Sequence, residues 1–129
     1  MLTGCLLLAG TLASCSSKAQ NRRQNPETKI VKPADHIILE MKIDLNLSDE
    51  QELKIRPIIE EQVKKRKGLI EKFQGQGRPG QEALRYELKN LRISTAGQLQ
   101  YFLTNEQMIK CGNMQQEEDQ RIISEKSGE

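Results

Sequence analysis

The chain has 129 residues with 20 Lys and Arg against 18 Asp and Glu, a net charge of +2, which excludes the strongly basic class of nucleic-acid binders. Aromatic residues make up only 3% and Trp is absent, so the core has to be built from Leu and Ile between helices. The length allows one small domain.

Met1 to Ala13 carry no charged side chain and end in small residues, the layout of an export signal and its cleavage site. The apolar run is about a dozen residues long, well short of the roughly 20 that a helix needs to cross a bilayer. Residues 1–14 therefore read as a signal peptide, although no Lys or Arg precedes the apolar run. Leu12-Ala13-Ser14-Cys15 resembles the lipobox of bacterial lipoproteins, in which the Cys is acylated and becomes the first residue of the mature chain. That resemblance implies lipidation at Cys15 and a mature protein anchored in the bacterial cell envelope, facing the periplasm. Ser16 stands where an Asp would mark inner-membrane retention in enteric bacteria, which points to the outer membrane. Cys5 leaves with the signal and Cys15 is taken by lipid. Cys111 is then a lone thiol with no intramolecular partner, either a half-buried helix residue or a bridge across a dimer.

Residues 15–33 are the lipidated Cys and a tether. From Ser16 to Pro33 the segment is polar, holds two prolines and lacks an apolar stripe, so its 18 residues give a reach of roughly 25 Å. From Ala34 onward, residues 34–129, apolar positions recur every three and four residues without the alternation of strands, which predicts an all-α domain of four helices. The first covers Pro33 to Lys42, with Ile37, Ile38 and Met41 on one side. The second runs from Ser48 to Gln74 on a stripe of Ile55, Ile58, Ile59, Val63, Leu69, Ile70 and Phe73. Pro57 lies inside it and predicts a kink near Leu53 to Arg56. Gly75-Gln76-Gly77-Arg78-Pro79-Gly80 reads as a reversing loop. A third helix follows from Gln81 to Phe102 with Leu84, Leu88, Leu91, Thr95, Leu99 and Phe102 in register, making a long antiparallel helical hairpin with the second. A fourth helix continues past the next motif towards Ile123.

Two stretches repeat: Leu47-Ser48-Asp49-Glu50-Gln51 and Leu103-Thr104-Asn105-Glu106-Gln107. Each is a capping box, in which the hydroxyl oxygen accepts from the backbone N–H three residues on and the Gln reaches back to the cap residue's own N–H. Asp49, Glu50 and Glu106 add negative charge to the first turn, where the helix dipole favours it. Leu103 can staple against Met108, whereas the matching position in the first copy is Glu52, leaving Leu47 to pack on Leu53 or another helix.

Two such boxes in a small exported helical chain resemble the LTxxQ repeat of the Spy/CpxP family of periplasmic proteins. The second copy matches at Leu103, Thr104 and Gln107, and the first at Leu47 and Gln51, with Ser48 in place of Thr. The resemblance spans Ala34 to Ile123. It implies a curved antiparallel homodimer and an ATP-independent chaperone that binds unfolded or aggregating envelope proteins under envelope stress. The alternative that it implies is a regulatory lipoprotein binding the periplasmic domain of a sensor kinase or a metal-responsive system. The well-known members are soluble, whereas this chain reads as lipid-anchored.

A chaperone surface needs apolar spots beside mobile charges. Lys64, Lys65, Arg66 and Lys67 followed by Ile70 and Phe73 offer that mixture on the second helix, and Arg85 and Arg92, with Lys89 and Tyr86, offer it on the third. A metal site is not expected, because His36, Cys111 and the run Glu117-Glu118-Asp119 do not form a ligand set of fixed spacing. No nucleophile–base pair or phosphate loop is visible, so neither an enzyme nor a cofactor is expected.

Overall fold

The computed structural model describes residues 30–127; the expected export signal, the expected lipidation site Cys15 and residues 16–29 of the expected tether lie outside the described residues. Four helices follow one another: α1 (Ala34–Leu45), α2 (Asp49–Phe73), α3 (Gly77–Leu99) and α4 (Asn105–Ser127). Each connection is only a few residues long, which turns every helix back along the one before it. α2 packs on α3, α3 packs on α4, and α1 lies against both α2 and α4, closing a ring. α2 and α4 run parallel across the ring and meet only through side chains.

Local chemistry sets the ends of these helices. α1 stops at Asn46, which takes the left-handed conformation (φ 54°) that Asn tolerates, while Leu47 N–H donates to Lys42 O at 3.2 Å. α2 runs unbroken from Asp49 to Phe73 through Pro57. Pro57 deprives Leu53 O of its helical donor, and both residues are exposed, so water can satisfy that carbonyl. α3 begins at Gly77, four residues ahead of the expected Gln81. Arg78 and Pro79 form its first turn, where a missing N–H costs nothing because those donors have no helical acceptor. Gly75 and Gly77 take φ of 74° and 66°, which makes the reversal tight. Gly80 is buried at the crossing, and a Cβ there would stand 2.6 Å from Gln76 Cβ and 2.9 Å from Phe73 O.

The core is Ile and Leu as the composition requires: Ile38, Ile55, Ile59, Ile70, Leu88, Leu99 and Ile122 are essentially inaccessible, joined by Met41 and Cys111. Ile58, Leu69 and Phe73, expected in the same stripe, sit at its edge, partly covered. Phe102 lies beyond the end of α3 and is exposed. Among the described residues no helix is long and apolar enough to cross a membrane.

Candidate functional site

Both repeated motifs form the boxes their sequences encode. Ser48 Oγ accepts from Gln51 N–H at 3.1 Å and Ser48 N–H donates to Gln51 Oε1 at 3.0 Å; the pair at Thr104 and Gln107 does the same at 3.2 and 2.9 Å. Leu103 is buried, and Met108 packs, partly covered, against the same core. Leu47 is buried as well, but Leu53 is 73% exposed, so Leu47 packs into the helical ring and not on Leu53.

The two boxes are also fastened to each other. Gln51 Nε2 donates to Gln107 Oε1 at 2.8 Å, and Gln107 Nε2 donates back to Gln51 Oε1 at 3.2 Å. The second hydrogen on each amide goes to a backbone carbonyl at a turn: Gln51 Nε2 to Phe102 O in the α3–α4 turn at 2.9 Å, and Gln107 Nε2 to Leu45 O at the end of α1 at 3.2 Å. Every donor and acceptor of both amides is thereby used. The result is a pseudo-symmetric clasp that ties the α1–α2 turn to the α3–α4 turn. Glu or Asn could not replace Gln without losing a donor or the reach.

Two further polar rungs join α2 to α4 deeper in the ring. Gln115 Nε2 donates to Gln62 Oε1 at 3.2 Å, both residues buried. Arg66 donates to Asp119 at 3.1 Å and Arg92 of α3 donates to the other oxygen of the same carboxylate at 2.7 Å. Burial pushes the Asp119 carboxyl above its ordinary range, against the pull of the two guanidiniums. Glu118 also resists burial, but Arg121, Lys32 and Arg66 outweigh that cost and hold it below the usual carboxylate range.

The expected client surface is divided by this arrangement. Lys64 and Lys65 are exposed, with Lys65 3.9 Å from Glu61, and Lys67 is partly covered. Arg66 and Ile70 are not on the surface: they are 2% and 1% exposed, because helical spacing from Ile59 through Gln62 and Val63 turns both inward. Phe73 is partly covered, with the Lys72 ammonium 5.2 Å from its ring centre. Arg85, Tyr86 and Lys89 line an open groove of about 600 Å³ between α3 and α4, and Arg92 reaches from that groove to Asp119. Gln116, Gln120 and Ile123 form its other wall.

His36 is exposed on α1, its Nε2 3.1 Å from Glu40. Cys111 is 2% exposed in the core, which removes it from any bridge across a surface, and burial pushes its thiol up to about 11. Among the described residues no group of three or more His, Cys, Asp or Glu converges to hold a metal ion. The chain matches no protein-family model, no curated protein and no solved structure.

Gln62 and Gln115 are structural residues that the sequence did not single out, and Asp119 stood there only as part of an acidic run. The signal lay in spacing: positions 59, 62, 63, 66 and 70 of α2 and positions 111, 115, 119 and 122 of α4 each trace one inward stripe that includes the polar residues.

Proposed function

We propose that the chain is a membrane-anchored, ATP-independent chaperone of the bacterial envelope, holding unfolded or aggregating proteins in the manner of the Spy/CpxP family that its two motifs resemble. The observation that carries this reading is the α3–α4 groove. Arg85 and Lys89 stand in it without an ion partner among the described residues, beside a 63% exposed Tyr86 and within reach of Ile123. Mobile cations next to apolar surface suit brief, multivalent contact with chains that have no fixed shape. Ile43, Leu53, Tyr101 and Ile109, each at least 67% exposed, add apolar contact points near the clasp. Lipid on Cys15 would hold this surface within a tether's length of the membrane.

The test is light scattering from several unrelated proteins as they unfold, with and without the mature chain at equal molar amounts. Suppression of scattering for most of them is expected, and it should weaken at least threefold in Arg85→Ala/Lys89→Ala. Unchanged aggregation of every client refutes the reading.

A further inference from the structure

α1 differs from the other helices in how it is held. It has 12 residues against 23 to 25 in the others, a length at which an isolated helix is marginal in water. Its N-terminus begins after Pro33 with no side-chain cap. Four buried side chains, Ile37, Ile38, Met41 and Leu45, dock it. The remaining fastenings include ion pairs with a partner near the surface: Asp35 to Arg56 at 2.6 Å, and Lys42 to Asp49 and Glu52 at 2.9 and 2.8 Å. Exposed pairs of this kind hold weakly.

Beneath α1 lies a groove whose two deeper polar rungs do not include it, although the clasp at its upper end also holds Leu45 O of α1. α2 and α4 are kept apart and in register by Gln62–Gln115 and Arg66–Asp119, neither of which involves α1. The seat is incompletely matched. A cavity of about 40 Å³ remains between α1, α2 and α4, lined by Gln62 and Arg66 and by the carboxylates of Glu40 on α1 and Glu118 on α4, which are engaged by Lys32 and Arg121 instead. Gln62 Nε2 and Arg66 Nε, both buried, have no hydrogen-bond partner among the described residues. An occupant offering an acceptor at that level would satisfy donors that α1 leaves unmet.

We propose that the α2–α4 groove is a helix-docking site, filled by α1 in the resting chain and open to an amphipathic client helix that carries large aliphatic residues at the same i, i+1, i+4 and i+8 spacing. The exchange rests on the chaperone reading only for its biological use; the docking site stands by itself. α1 shows what the groove accepts, and the unmatched donors show where a competitor gains.

The probe is a fluorescent synthetic peptide with the sequence of residues 31–46, added to the full chain and followed by anisotropy. Saturable binding is expected, tightened at least threefold in Arg56→Ala/Lys42→Ala, which loosens α1 without touching the groove floor. A peptide carrying Ile38→Asp and Met41→Asp should not bind. Hydrogen exchange should release α1 amides at least tenfold sooner than those of α2 and α4. Absence of peptide binding to the loosened variant, or exchange of α1 only together with the whole fold, overturns the proposal. If scattering is suppressed but the peptide does not bind, the docking site falls and the chaperone reading stands. If the peptide binds but scattering is unchanged, the docking site stands and the chaperone reading falls.

Discussion

Replacing Gln107 by Ala removes four hydrogen bonds at once: from Thr104 N–H, to Leu45 O, and both bonds exchanged with Gln51. A neutral hydrogen bond contributes a net of roughly 0.5–1.5 kcal/mol, and the half-exposed setting places these at the low end, so the variant should lose about 2–3 kcal/mol. Gln51→Ala removes the equivalent set and should cost a similar amount. The two bonds between the amides are counted in both losses. The double variant should therefore cost less than the sum by roughly 1–2 kcal/mol, a coupling that independent helix caps would not show. Urea unfolding of the four proteins, followed by far-ultraviolet circular dichroism, measures it, provided the slopes agree. Additivity to within about 0.5 kcal/mol would refute the clasp and leave two separate capping boxes.

Asp119→Ala strands the buried Arg66 and should destabilise the chain by about 3–5 kcal/mol in the same assay, whereas Glu61→Ala, at an exposed pair, should cost under about 1 kcal/mol. Gly80→Ala should destabilise by roughly 1–3 kcal/mol through the clash at the hairpin crossing. Gly68→Ala, with nothing within 4 Å of the added carbon, should stabilise by up to about 1 kcal/mol; thermal melts separate the two. The Cys111 thiol, raised to about 11 in the fold, favours the folded state fully below its unfolded value, and this contribution fades as pH climbs towards 11. With Cys5 and Cys15 replaced by Ser, native protein should resist iodoacetamide at pH 8 while urea-unfolded protein reacts. Glu118 has the opposite sign: its lowered folded value supplies stability above the unfolded range that is lost on acidification, so Glu118→Gln should flatten the acid limb of a stability–pH profile.

The number and order of helices were legible because apolar spacing and the two S/T-x-x-Q boxes are local signals. The start of α3 was not: Gly-Arg-Pro-Gly looks like a loop by composition, but a helix's first turn tolerates Pro because its N–H groups have no helical acceptor. The bonds within each box follow from its three-residue spacing, whereas the bonds between Gln51 and Gln107 cross 56 positions and leave no trace in either motif. Arg66 was hidden by its neighbours. Its place in a basic run argued for solvent, and only its phase on α2, together with that of Asp119 on α4, shows that it is inside.

Arg121 donates to Ile30 O, so the described chain enters the fold beside the third quarter of α4. Arg121 lies 16 residues beyond Asn105, about 24 Å along the helix axis, with the clasp at the near end. The molecule thus has two poles. A tether pulling from Ile30 would draw the lower bundle towards a membrane and leave the pole with Tyr101 and Ile109 facing outward. Attachment through Cys15, as proposed, would then set an orientation as well as an address.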